Sequence, residues 1–427
     1  MKPKYFNIKN GNAYIRDFKI SDLAESFKTP LYLFDQKELE ENMEIFKKNF
    51  QSTNISTHVV YASKAFLVPK MCDLLAKHHL WMDAVSLGDL YIAYKSNFPM
   101  NHIIFHGNNK SIEELEFAVK NDVVIVVDHY EELIKLIEIS KKYDCNVRTM
   151  FRVNPGISAH THQFIQTATL VSKFGESIFD DNRIDQIMKA YVSQNKVKLL
   201  GFHSHIGSQI HEISSFINNV LVMMEFSEKI VDKYDYQLTT INFGGGFGIA
   251  YTTNELPLKI DDALKQMVKE VEKFAENSCF KPKEMFIEPG RSIIGESCIM
   301  LYTCGDFKHT YGDKNYLFVD GGMTDNIRPA LYQAQYSVDI ANKMNMEKNV
   351  IADIAGKCCE SGDIVVENAL IPLTSVGDIL IVYSSGAYTY SMSSNYNSLL
   401  KPAVVFLDDE PVVVSRRETL SDLFKLF

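Results

Sequence analysis

Apolar and polar positions fall into two textures along this chain. Between residues 58 and 288, eight short apolar runs recur, at 58–63, 81–85, 102–106, 123–128, 147–153, 197–205, 239–243 and 284–288. Longer stretches separate them, such as 67–79, 112–120, 131–142, 181–195, 215–234 and 261–276. Several carry apolar residues at helical spacing, as with Leu133, Ile134, Leu136 and Ile137. Eight strand–helix units in a stretch of this size predict an α/β fold, a (β/α)8 barrel of the TIM type, which takes roughly 250 residues. After Ile293 the helical period fades. Glycine-punctuated strand-like runs at 316–319, 363–366, 378–383 and 403–406 predict a second, β-rich domain of sandwich or barrel type. The first 35 residues, with Tyr14-Ile15 and Pro30 to Phe34, read as strand and turn that pack on that second domain. The expected division is 1–35, 36–293 and 294–427.

Composition narrows the partners. The chain has 427 residues, is 46% hydrophobic and 23% charged, and carries a net charge of −10. That balance gives no electrostatic case for nucleic acid or an anionic membrane. No apolar h-region follows Met1-Lys2-Pro3-Lys4-Tyr5, so no signal peptide is expected. No apolar run reaches the roughly 18–20 residues that span a bilayer. Seven cysteines, scattered except for Cys358-Cys359, fit a reducing cytoplasm better than a disulfide framework.

In barrels of this kind chemistry gathers at the C-terminal strand ends. Here the first run ends in Lys64, beside Ser63 and Ala65. Lysine is seldom buried without a partner, and an amine fixed at a strand end can form a Schiff base with a carbonyl cofactor such as pyridoxal phosphate. The later ends carry Asp83 and Ser86, then His106 and Asn108, then Arg152 and Asn154. They continue with His203, His205 and Ser208, with Gly244-Gly245-Gly246, and with Glu288-Pro289-Gly290-Arg291. Three glycines let a backbone approach closely and cradle a phosphate. Alone, three glycines are more often a plain loop. Glu288 is suited to pair with a pyridine nitrogen, or else to make an internal salt bridge with Arg291. His205 is suited to stack on a ring, or to serve as a satisfied core histidine. His203 and His205 are expected on one strand face, a spacing that also suits metal binding. No third ligand stands at a companion spacing, and no metal is expected.

The second domain adds Asp320-Gly321-Gly322-Met323, then Arg328 and Tyr332, then Cys358-Cys359-Glu360, then Tyr388. Arginine for a carboxylate, glutamate for an ammonium and cysteine for proton transfer suit a substrate with two acid groups and an amine. The cysteine pair is also compatible with plain packing.

Taken together these segments resemble the diaminopimelate decarboxylases, fold-type III pyridoxal phosphate enzymes related to alanine racemase and ornithine decarboxylase. The likeness runs over most of the chain. It rests on the motifs at 61–65, 203–209, 244–249, 288–292, 319–323, 328–332, 359–363 and 386–388. Thr161-His162 and Lys173-Phe174-Gly175 are similar to the family as well. The resemblance implies that Lys64 takes the cofactor as a Schiff base. It implies that Ser208, Gly244, Gly245, Gly246, Glu288, Gly290, Arg291 and Tyr388 bind pyridoxal 5'-phosphate, with Glu288 at the ring nitrogen and His205 stacked on the ring. Asp83 and Arg152 support the site. Arg291, Arg328, Tyr332, Glu360 and Tyr388 bind substrate, and Cys359 protonates the product carbanion. The implied reaction is meso-2,6-diaminopimelate to L-lysine and carbon dioxide, the last step of lysine biosynthesis, in a cytoplasmic homodimer whose sites are shared between subunits. Ser204, Phe247 and Cys358 depart from the family pattern without removing a required group. The alternatives are a decarboxylase of another carboxylated diamine or basic amino acid, of siderophore-pathway or ornithine/arginine type, and a non-catalytic paralogue that binds a partner enzyme.

Overall fold

The computed structural model describes residues 1–157, 172–425 and 427; the Thr161-His162 pair lies outside the described residues. The chain divides into two compact units. One comprises Met43–Gly248 and Pro257–Gly290. The other comprises Met1–Asn42, Ile249–Leu256 and Arg291–Phe427.

The first unit is a closed parallel barrel. Its eight strands, in chain order, are Ser56–Tyr61, Trp81–Ala84, Ile103–Phe105, Val124–Val127, Val147–Asn154, Val197–His203, Thr240–Asn242 and Glu284–Ile287. Each pairs in parallel with the next, and Ile287↔Val59 closes the ring. Some strands are continuous apolar runs, as in Val124–Val127, where all four residues are buried. Strands covered on both faces have no polar side to alternate with. A core cluster of Val60, Ile104, Val124, Val126, Met150 and Phe286 draws on five of the eight strands.

The helices answer to their sequences. Ile260–Asn277 buries Ala263, Leu264, Met267, Val268 and Val271, one stripe at helical period. Each of the larger side chains there contributes about 1.5–3 kcal/mol by leaving water. Ile112–Lys120 starts at a capping box in which Ser111 and Glu114 exchange hydrogen bonds. Pro69 opens Pro69–Lys77, where a missing N–H costs nothing.

The second unit is β-rich. Leu31–Asp35 lies between Cys298–His309, which it meets antiparallel, and Ala403–Leu407, which it meets in parallel. Ile379–Val382 also pairs with Cys298–His309, and Asn315–Val319, Val350–Ala355 and Ile364–Ile371 extend the sheet. A small antiparallel sheet of Phe6–Lys9, Asn12–Ile15 and Phe18–Lys19 belongs to the same unit. The early region is not strand and turn alone, because Ile20–Phe27 is a helix that buries Ile20, Leu23 and Ala24. Two turns are too short for periodicity to stand out from an apolar loop.

Candidate active site

Lys64 stands in a short 3-10 turn, Ser63–Ala65, directly after the first barrel strand. Its neighbours are buried and Lys64 itself is exposed. Asp83, at the end of the second strand, accepts the Ser63 N–H at 2.6 Å and so pins the turn. Burial pushes the Asp83 carboxyl up to about 7, and the Lys64 charge opposes that rise. Behind the turn, the Ala62 N–H donates to Pro289 O at 3.0 Å. A Cβ on Gly290 would sit 2.7 Å from the Ala62 methyl, so the approach of the eighth strand end needs glycine there.

Glu288 is held by three donors. Its Oε1 accepts from His106 Nε2 at 2.9 Å and from Asn242 Nδ2 at 2.8 Å, and its Oε2 accepts from His203 Nε2 at 3.1 Å. All four side chains are buried. Burial alone would raise the carboxyl, but the two histidines outweigh it and hold Glu288 well below the usual carboxylate range. Burial lowers both histidines in turn, His203 to about 4. Three donors from the barrel satisfy Glu288. The Arg291 guanidinium donates to the Tyr251 hydroxyl.

The expectation for His203 and His205 needs correction. The ladder ends at His203↔Asn242, so the two-residue strand period stops before His205. His203 turns to Glu288, whereas His205 accepts the Gly245 N–H on Nδ1 at 3.2 Å. Burial first, and then the charges of Lys64 and Arg152, push His205 well below its ordinary value. The companions of His203 come from distant strands. His106, His203 and Glu288 bring ligand-type atoms within 4.8 Å of one another. Those atoms are already donors and acceptors to each other.

The glycine loop proves to be packed against backbone. A Cβ on Gly245 would lie 2.0 Å from Glu288 O, so the loop closes on the eighth strand only without one. Gly244 and Gly246 take left-handed φ values of 67° and 108°. Asn242 joins loop and acid, since its Oδ1 accepts the Gly244 N–H at 2.9 Å while its amide donates to Glu288. Ser208 is half-buried just beyond Gly207. Two departures from the family pattern have clear settings. Ser204 Oγ bonds Asn219 Oδ1 at 2.9 Å, and the Phe247 ring stacks on Phe216 with centroids 4.7 Å apart.

Arg152 is buried at the fifth strand, with its guanidinium 4.5 Å above the Phe174 ring. That contact gives the 173–175 motif its place. Gly175 also donates to Asp128 Oδ1 at 3.2 Å. Nearby, Lys110 Nζ donates to Gly107 O and Val126 O at 2.7 Å and to Glu132 at 2.8 Å. Both charged side chains are 1% exposed. The sequence reading missed this pair, because a lysine five residues past a strand reads as solvated loop.

The second unit holds another set. Arg328 opens the short helix Arg328–Tyr332 and is buried. Its guanidinium donates to the Tyr336 hydroxyl and lies 4.7 Å from the Tyr251 ring centre. Arg291, bonded to the Tyr251 hydroxyl, lies 4.8 Å from the Tyr388 ring centre. Tyr251 thus links the two arginines, and neither it nor Tyr336 was anticipated. Among the described residues Arg328 meets hydroxyls and rings rather than a carboxylate, which suits a guanidinium meant for an incoming acid. Tyr388 sits at φ 59°, an uncommon conformation for a bulky residue. Tyr332 is half-buried.

Cys359 and Glu360 are exposed. Their turn is fixed through its main chain. Cys359 N–H donates to Asn397 Oδ1 at 2.7 Å, and Cys358 N–H to Asp363 Oδ2 at 2.8 Å. The other Asp363 oxygen accepts the Met323 N–H at 2.6 Å, tying this turn to the loop before Arg328. Cys358 is buried, and burial, with Asp363 next, pushes its thiol up to about 11.

Residues 36–295 match the family of pyridoxal-dependent decarboxylases, pyridoxal binding domain. The chain is 40% identical over 406 residues to the diaminopimelate decarboxylase of Bacillus subtilis (strain 168), covering 95% of this chain and 92% of that one. The chain belongs to the diaminopimelate decarboxylase family. A second relative, from Staphylococcus aureus (strain COL), is 38% identical with 97% of each chain covered. Among solved structures, the diaminopimelate decarboxylase of M. jannaschii in complex with L-lysine superposes with a TM-score of 0.93 at 30% identity, covering 100% of this chain and 98% of that one. The Helicobacter pylori enzyme with L-lysine gives 0.87 at 28% identity, with 95% and 98% covered.

The described barrel residues fit the cofactor of this family. A carboxylate offers roughly four lone-pair sites. Glu288 uses three of them on its donors, and one remains for a pyridinium N–H. An exposed amine stands at Lys64 on the same ring of strand ends. No helix among the described residues is long and apolar enough to cross a membrane.

Proposed function

We propose that this chain decarboxylates meso-2,6-diaminopimelate to L-lysine and carbon dioxide with pyridoxal 5'-phosphate as cofactor. The observation that carries the reading is Glu288, a buried carboxylate held ionised on the same ring of strand ends as the exposed amine of Lys64. When bound, the cofactor supplies an electron sink for the pair left behind as the α-carboxylate departs. Lys64 offers the amine that tethers it between turnovers. Glu288 keeps a proton on the ring nitrogen, since an ionised partner favours the charged form. His205 covers a ring face. Ser208, Gly244, Gly245, Gly246, Gly290 and Arg291 hold the cofactor, with Tyr388, and Asp83 and Arg152 support it.

The substrate falls to a second set of residues. Arg291, Arg328, Tyr332, Glu360 and Tyr388 bind its charged groups, and Cys359 delivers a proton to the α-carbon. The exposure of Cys359 against the burial of Cys358 supports that choice of thiol. Specificity follows from the distant end, because a shorter substrate leaves buried charges unpaired. The active form in this reading is a homodimer with shared sites, supported by the exposed thiol and carboxylate on one turn. A reducing cytoplasm suits the free cysteines.

Carbon dioxide release from meso-diaminopimelate, ornithine and arginine, measured side by side, tests the assignment. Release from meso-diaminopimelate is expected to dominate. Equal or greater turnover of ornithine overturns the substrate. A purified protein without a visible absorbance that borohydride abolishes overturns the cofactor.

A further inference from the structure

Four barrel strands converge on one carboxylate. His106 follows the third strand, His203 ends the sixth, Asn242 ends the seventh and Glu288 follows the eighth. Three N–H groups point at two oxygens, at 2.8 to 3.1 Å, in a place where all four side chains are buried. The two imidazoles touch edge to face, with centroids 4.7 Å apart. Such a contact suits neutral rings and not two cations.

The far side of His203 fixes its protonation. Among the described residues, its Nδ1 is buried without a hydrogen-bond partner. An imidazolium would place an unpaired N–H there, which is costly, whereas a neutral ring bearing its proton on Nε2 leaves only a weakly demanding lone pair. His203 is therefore a neutral donor to Glu288. A cationic histidine in its place would share its charge with the carboxylate and weaken the pull of that carboxylate on any other proton. A neutral donor fixes the oxygens and leaves the negative charge whole.

We propose that His106 and His203 are positioning residues that aim the Glu288 carboxylate and keep it ionised, acting as uncharged N–H donors. This rests on the reading of Glu288 as the partner of the cofactor nitrogen. Asn242 is the third donor, and it also couples the acid to the glycine loop through Gly244. The other charged or titratable groups bearing on the cluster are Lys64, Asp83, Arg152 and His205.

The test uses the holoenzyme and its His106→Leu, His203→Leu, His106→Gln, His203→Gln and Glu288→Gln variants. Glutamine keeps a terminal N–H donor, and leucine does not. Circular dichroism and thermal melts establish which variants fold. The readouts are the dissociation constant for pyridoxal 5'-phosphate, the pH dependence of its visible band, and kcat and KM separately. Each leucine variant is expected to lower kcat about tenfold or more, the equivalent of one pKa unit, with KM little changed. It is also expected to loosen the cofactor and displace the pH midpoint of the band. Each glutamine variant is expected to recover most of both. Leucine variants with wild-type spectra and kcat overturn the proposal. So do folded glutamine variants as impaired as the leucine ones, since packing alone would then explain the loss. If Glu288→Gln impairs the enzyme while the leucine variants do not, only the positioning role fails. If Glu288→Gln is itself silent, the reading of Glu288 fails and the proposal falls with it.

Discussion

Glu288 and Cys359 are both acids, yet the fold holds them in opposite ways. Glu288 is buried at a barrel strand end under three donors from three other strands. Cys359 stands exposed on a turn whose main chain is tied down through Asn397 and Asp363. The difference follows the work each reading assigns. A group that must keep its charge throughout needs its surroundings fixed before substrate arrives. A group that must hand over a proton needs a fixed base and a side chain free to reach. Strand ends supply the first kind of support and a turn the second.

The sharpest way to break this comparison is to remove one reactive group from each region. Lys64→Ala is expected to abolish turnover and the covalent link to the cofactor; carbon dioxide release reads the first, and borohydride reduction followed by mass spectrometry the second. Cys359→Ala is expected to lower kcat by about 10²–10⁴-fold, the usual worth of a positioned acid, while leaving cofactor absorbance unchanged. Cys358→Ala should change kcat far less, which steady-state kinetics will show. If the two alanine variants behave alike, the exposed turn does not supply the proton.

A stability measurement extends the comparison to the barrel's buried ion pair. Lys110→Met strands Glu132 with both side chains nearly inaccessible, and should cost about 3–5 kcal/mol in urea unfolding. Adding Glu132→Leu should restore much of that.

The smallest expected effect is a pH slope. His203 has a folded pKa of about 4 against an ordinary 6.5, so between those values the unfolded chain binds more protons. Stability therefore falls as pH drops from about 6.5 to about 4. Glu288, held below its ordinary 4.5, adds a loss in the same direction at lower pH. His203→Gln is expected to flatten the upper part of that slope in thermal melts across pH.

The barrel was legible because most of its strands centre on short apolar runs with helical stretches between, as Val124–Val127 and Ile260–Asn277 show. Lys64, Glu288, Arg328 and Cys359 stood out as reactive residue types at expected places. Their supports did not. His106 and Asn242 are separated from Glu288 by 182 and 46 residues, and only closure of the sheet makes them neighbours. Tyr251 and Tyr336 read as ordinary apolar positions until the two arginines are placed beside them. The helix Ile20–Phe27 was hidden by its brevity. Residue type reveals chemistry, whereas what steadies that chemistry depends on contacts far apart in the chain.

The strand Leu31–Asp35 carries a consequence for synthesis. All five of its residues are buried, and its parallel partner Ala403–Leu407 lies about 370 residues further along the chain. On the ribosome this segment emerges about 370 residues ahead of that neighbour. At 5–20 residues per second that is roughly 20–75 s, during which the barrel strands, whose pairings are mostly between successive segments, can already close. A nascent chain stalled before residue 403 should expose this apolar strand and recruit a holdase chaperone, and release of the stall should end that association as the slot beside it fills.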